Sequence, residues 1–216
     1  MLQNVKIKGS IFDCYKTLID IRTNERSWET NKIVSDWLLY HGVRIDPDSL
    51  REEYKWKVIG RLGNSDQKHP DIRIEEIFAE ICSDYAFKKI DPYWLGIETA
   101  KAFRTASLRK LEVYPQSLRL LEKYKNVPKW VVSNAQRVFT EQELQSFNLY
   151  YYFNFTITSD YYIKKPDSRL FKMALDQLGL EPWKVLSIGD TTENNIYPPQ
   201  SLGMNAILIS DAWKYG

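Results

Sequence analysis

Four short stretches set side chains capable of chemistry at the end of apolar runs or just before a helix: Ile11-Phe12-Asp13, Val131-Val132-Ser133-Asn134, Lys164-Lys165-Pro166-Asp167 and Val185-Leu186-Ser187-Ile188-Gly189-Asp190. A carboxylate at the tip of a buried strand, such as Asp13, can act as a nucleophile or hold a cation. Asp190 adds a second carboxylate, Lys165 a cation, and Ser133 with Asn134 hydrogen-bonding groups. Each residue alone has a plainer explanation. Asp13 could cap the turn that follows it, Asp190 could be a helix N-cap, and Ser133 could satisfy a strand end. Lys165 could be a solvated lysine, with Lys164 as basic as its neighbour.

The elements needed to position these groups can be read around them. Residues 5–12 alternate and then become apolar, with Val5, Ile7, Ile11 and Phe12 marking a first strand. Further strands are expected at Lys129–Val132, Phe155–Ile157, 185–188 and 206–209. Helices separate them: one carries Leu118, Leu121 and Tyr124, and one opens after Lys165-Pro166 and closes at Gly179. Another carries Leu144 and Phe147, with Thr140 and Glu143 as its capping box. Alternating strands and helices predict an α/β fold, a doubly wound and mainly parallel sheet. In such sheets ligands bind at the carboxyl ends of the strands. Residues 22–108 differ in character. Ile33, Val34, Trp37 and Leu38 share a helix face stopped by Gly42. Asp46-Pro47 and Asp91-Pro92 are cap-plus-proline starts. Ile74, Ile77, Phe78, Ile81, Cys82 and Tyr85 make a helical stripe, and residues 60–69 read as a polar loop. A helical module inserted after the first strand is the expectation.

Composition excludes several classes. A chain of 216 residues with 44% apolar and 27% charged residues can build a sizeable core. Its 30 basic and 28 acidic residues give a net charge of +2, with no basic concentration that would suit nucleic acid. No run reaches membrane-spanning length and no signal peptide is legible. Two cysteines, Cys14 and Cys82, form no disulfide framework. His41 and His69 have no metal-ligand partner at a useful spacing. A cytoplasmic protein acting on a small molecule is expected. The aromatics of the inserted region, Trp28, Trp37, Trp56 and Trp94 among them, could pack inward or form an interface, so the oligomeric state stays open.

In order and spacing the four stretches resemble the motifs of the haloacid dehalogenase superfamily of hydrolases. The resemblance implies a core domain of residues 1–20 plus 109–216 and a helical cap of residues 21–108 over the active site. It implies Asp13 as nucleophile, with Ser133 and Lys165 completing the catalytic set. It further implies Tyr15, Thr17 and Asn134 on the substrate side, and Mg²⁺ held by Asp13, the backbone carbonyl of Tyr15, and Asp190. The chain departs from the pattern in four places. Phosphatases of the superfamily carry a second Asp two residues after the nucleophile as general acid; here it is Tyr15, whose ordinary pKa of about 10 suits that task poorly. An aromatic residue there occurs in metal-independent 2-haloacid dehalogenases, which typically lack the Gly-Asp form of the fourth motif. Asn194 and Asn195 stand where another Asp is usual, which predicts a more weakly bound metal. Lys16 replaces a common glycine, and Pro198-Pro199 interrupts a usual helix. The first expectation is a Mg²⁺-dependent phosphohydrolase favouring good leaving groups. The alternatives are a 2-haloacid dehalogenase and a scaffold that has lost catalysis and serves in binding or regulation.

Overall fold

The computed structural model of the chain describes residues 6–153, 155–157 and 159–216; Val5, assigned above to the first strand, lies outside them. In chain order the elements are β1 (Gly9–Phe12), β2 (Ile19–Thr23), α1 (Trp28–Tyr40), α2 (Pro47–Gly63), α3 (Ile74–Tyr85), α4 (Pro92–Ser107), β3 (Leu108–Val113) and α5 (Pro115–Lys123). They continue as β4 (Lys129–Val132), α6 (Arg137–Ser146), β5 (Phe155–Ile157), α7 (Arg169–Leu178), β6 (Val185–Gly189), α8 (Thr192–Asn195), α9 (Tyr197–Ser201), β7 (Asn205–Leu208) and α10 (Ile209–Ala212).

Five strands form a parallel sheet in the order β5-β4-β1-β6-β7. The central strand β1 is buried along its whole length, as a parallel strand covered on both faces must be. Successive side chains point to opposite faces. Phe12, Val131 and Ile188 therefore pack with Leu120, Leu121 and Leu144 of α5 and α6, whereas Ile11, Trp130 and Val132 pack with Leu170, Phe171 and Ala174 of α7. Helices on both sides make the sheet doubly wound, as the alternation of elements predicts.

Helices α1–α4 have a third cluster of their own, built on Val34, Leu38, Leu50, Ile77, Phe78, Ile81 and Phe103. Their starts follow the sequence signals. The Asp46 and Asp91 side chains each accept two backbone N–H groups of the helix they cap, and proline follows in the first turn. Gly42 sits at φ +94 just past the end of α1, a conformation that glycine adopts cheaply.

The structure corrects four local expectations. Helix α2 runs on to Gly63, so the polar loop starts at Asn64 rather than Gly60. Ile33 faces outward, while Thr30, Asn31 and Ser35 of α1 are buried; Ser35 donates to the Ile45 carbonyl, which makes its burial tolerable. Thr140 and Glu143 are no capping box: α6 starts a turn earlier, and Thr140 donates from mid-helix to the Gln136 carbonyl at 2.7 Å. The last strand ends at Leu208, and Ile209 opens α10. The sequence also concealed an antiparallel ribbon, β2 with β3, that crosses both expected limits of the helical insert. The proline pair behaves as expected: α8 stops at Asn195, Ile196 breaks the helix, and α9 begins with proline in its first turn.

Candidate active site

Because β4, β1 and β6 are neighbours, the residues just past their carboxyl ends meet. Asp13, Ser133 and Asp190 leave these three strands, and Lys165 reaches in from the segment between β5 and α7. The Asp13 carboxylate is held by three donors. Its Oδ1 accepts from the Cys14 N–H at 2.7 Å and pairs with Lys165 Nζ at 2.9 Å. Its Oδ2 accepts from Asn195 Nδ2 at 3.2 Å.

Lys165, not Lys164, is the buried cation, 3% exposed. Its ammonium also donates to the Val132 carbonyl at 3.1 Å and to Asn195 Oδ1 at 2.7 Å. With Asp13, these partners match its three donors. Its backbone is pinned by Asn134, whose Oδ1 accepts from the Lys165 N–H at 2.7 Å and whose Nδ2 donates to the Lys165 carbonyl at 3.3 Å. Asn134 thus holds the lysine, a role its residue type did not disclose. Ser133 is buried, and its Oγ accepts from the Ala135 N–H at 3.2 Å.

Asn195 is the hub of the site. Its Nδ2 contacts Asp13 Oδ2, Asp190 Oδ1 at 3.0 Å and Thr191 Oγ1 at 3.3 Å, while its Oδ1 accepts a hydrogen bond from Lys165 Nζ. Its own carbonyl accepts from Ser187 Oγ at 3.0 Å. Gly189 leaves room for it: a Cβ at position 189 would lie 2.3 Å from the Asn195 side chain. Of the two neighbouring asparagines, Asn195 is the one whose side chain reaches Asp13, Asp190 and Lys165. Burial, and then the negative charge of Asp13, push the Asp190 carboxyl above the usual carboxylate range, with Lys165 opposing them. Two hard oxygen donors converging under mutual repulsion fit a divalent cation such as Mg²⁺, which needs only one or two carboxylates and keeps several waters. Among the described residues no group of three or more acidic, histidine or cysteine side chains is gathered to hold a metal.

The Tyr15 hydroxyl is turned to α6 rather than held on Asp13. It donates to Glu143 Oε2 and lies 3.4 Å from Thr140 Oγ1. Arg104 of α4 lies over the Tyr15 ring, 5.0 Å from its centroid, and pairs with Glu143 at 2.7 Å. Burial, followed by nearby negative charge, pushes the phenol far above its ordinary pKa. This four-residue network escaped the sequence reading, because Thr140 and Glu143 read as a capping box and Arg104 as a helix-surface charge. The available signal was their setting: Arg104 follows Phe103 and Glu143 precedes Leu144, each beside a core position. Thr17 is fully buried with an unpartnered hydroxyl, and its carbonyl accepts from Ser117 Oγ at 2.6 Å. Lys16 is exposed at φ +59, a backbone conformation that glycine adopts at less cost.

This fold, with a carboxylate, lysine and Gly-Asp set at one sheet edge, defines a class, and comparison with known proteins agrees. Residues 63–209 match the haloacid dehalogenase-like hydrolases, and the chain belongs to that family. It is similar to the glyceraldehyde 3-phosphate phosphatase of Pyrococcus furiosus, 22% identical over 98% of this chain and 82% of that protein. Among solved structures it resembles 2-haloacid dehalogenase from Pseudomonas syringae pv. tomato, with a TM-score of 0.66 and 21% identity over 94% of this chain and 86% of that one. A HAD phosphatase from Thermococcus onnurineus follows, with a TM-score of 0.59 and 22% identity over the same 94% and 86%. No helix among the described residues is long and apolar enough to cross a membrane.

Proposed function

We propose that this hydrolase is a Mg²⁺-dependent phosphohydrolase acting on a small phosphorylated molecule through Asp13. The observation that carries the reading is the Asp13–Lys165–Asn195–Asp190 constellation, with its two converging carboxylates and one fixed cation. Asp13 Oδ1, aligned by Cys14 N–H and Lys165, is the attacking oxygen, and Oδ2 faces Asp190. When bound between Asp13, Asp190 and the Tyr15 carbonyl, the cation would offset the charge of the phosphoryl group. Oδ1 forms a bond to phosphorus as the bond to the leaving oxygen breaks, and water then cleaves the aspartyl phosphate to free the carboxylate. Ser133 and the backbone N–H of Asn134 would hydrogen-bond the phosphoryl oxygens, whereas Thr17, fully buried with its carbonyl bonded to Ser117, supports the turn after Asp13 rather than meeting the substrate. Lys165 balances charge on the nucleophile and transferred group.

Helices α1–α4 act as the cap, and the β2–β3 ribbon is the strap joining it to the core. With the Tyr15 hydroxyl committed to Glu143, the leaving oxygen takes its proton from water, which favours acyl phosphates and activated esters over alkyl phosphates. The phosphatase name of the relatives supports a small phosphorylated substrate. Free, buried Cys14 and Cys82 suit a reducing compartment. A second reading, a metal-independent 2-haloacid dehalogenase, is favoured by Tyr15 alone. Hydrolysis of an activated aryl phosphate, with Mg²⁺ and with chelator, beside Asp13→Asn, separates the two. Turnover that needs Mg²⁺ and is lost in Asp13→Asn supports the phosphohydrolase. Equal inactivity of wild type and mutant with metal present counts against it, and metal-free haloacid turnover would then establish the alternative.

A further inference from the structure

We propose that residues 67–71, on the loop between α2 and α3, are a positioning element for Lys165. The inference rests on the reading of Lys165 as the cation facing the nucleophile. The loop lies along the strip that leads into Lys165 and binds it at successive points. The Lys164 N–H donates to the His69 carbonyl at 3.0 Å, the Asp71 N–H donates to the Tyr162 carbonyl at 3.0 Å, and Pro70 bridges Ile163 in antiparallel fashion. Side chains extend the contact at both ends. Arg169 Nη2 donates to Gln67 Oε1 at 2.7 Å, and the Tyr162 hydroxyl donates to Glu76 Oε1 at 2.6 Å.

Two features mark this contact as more than surface packing. Tyr162 is held at φ +56, a left-handed conformation that is strained for a non-glycine residue and persists only where its surroundings hold it. The groups that impose it here are Asp71 and Glu76, both from the helical insert. Lys165 is also pinned from the other side by Asn134. The backbone from which the lysine springs is therefore gripped between insert and core. Its ammonium must meet Asp13, Asn195 and the Val132 carbonyl together, and misplacement by about 1 Å can cost on the order of a hundredfold in rate. The insert thereby contributes to catalysis without touching the substrate.

The test weakens the grip at exposed Gln67 and Tyr162 and at half-buried Pro70. Gln67→Ala/Tyr162→Phe removes the two side-chain bonds, and adding Pro70→Gly frees the loop backbone; both variants leave buried positions intact. Lysine acylation read by peptide mass spectrometry, together with hydrogen exchange at the Lys164 amide, reports the grip without turnover. The wild type should label at exposed Lys172 and stay protected at Lys165. In the variants we expect faster Lys164 exchange, Lys165 labelling raised about tenfold, and kcat on an activated aryl phosphate lowered about tenfold with KM within about twofold. Unchanged Lys165 labelling, whether or not Lys164 exchange quickens, overturns the inference. Absence of phosphate hydrolysis in the wild type would instead overturn the proposed function, and labelling would still decide the positioning question.

Discussion

Asp190 carries the clearest conflict at the residue scale. Burial and the charge of Asp13 favour its neutral form in the folded chain. A raised folded pKa means that ionisation costs stability once pH exceeds the unfolded value of about 3.9, and the cost is full above the folded pKa. Asp190→Asn should therefore melt higher than wild type in chelator at pH 7, with the gap closing as pH falls toward 4. Adding Mg²⁺ should reverse the order, because only the wild type keeps both carboxylates. Thermal melts across pH, with and without metal, check both signs. Asn195→Asp makes the opposite change. It replaces the amide that bridges two carboxylates by a third carboxylate, so chelated protein should melt lower. The Mg²⁺-induced rise in Tm should exceed that of wild type, as tighter binding to the folded state requires. Lys16→Gly should stabilise the chain by up to about 1 kcal/mol by relieving its positive φ, read by urea denaturation. That Asp13, Ser133, Lys165 and Asp190 would meet was legible because each sits where a run of apolar residues or a helix start fixes its position. Asn195 was visible as a departure, but its place at the hub depends on a helix turn and on the space above Gly189, which no spacing rule conveys.

Elements explain which parts of the site stayed hidden. Strands with continuous apolar runs and helices with Asp-Pro starts could be read locally. The ribbon could not, since β2 and β3 are half-exposed and separated by the entire helical insert. The Tyr15 network has the same origin, for it joins a loop after β1 to α4 and α6, residues far apart in sequence. Arg104 and Glu143 are each about one-tenth exposed. Removing one member of such a pair strands the other, costing about 3–5 kcal/mol, whereas replacing both by apolar groups costs less. We expect Glu143→Leu and Arg104→Met to destabilise strongly as single variants and to show favourable coupling in the double variant. Tyr15→Phe, which loses only the hydroxyl bond, should cost about 1 kcal/mol. A urea double-mutant cycle measures all of these.

At the scale of the molecule, α6 ties the two parts together. Leu144 and Phe147 pack against the sheet, and Val138 and Phe139 pack against the insert. The buried thiols report the two sides, Cys14 from the sheet cluster and Cys82 from the insert cluster. Thiol labelling along a urea titration should give coincident midpoints for the two; a lower midpoint at Cys82 would show an insert that melts alone. The strand order has a consequence for how the chain is made. Ser10 of the central strand pairs with Lys129 on one side and Leu186 on the other. On the ribosome β1 therefore emerges before both of the strands that flank it. Neither neighbour exists until most of the chain has been synthesised, whereas the insert has nearly all of its cluster by Phe103. The helices can collapse while the first strand is still unpaired, and the sheet edge that carries Asp13 and Asp190 is then assembled last, from segments far apart in the chain.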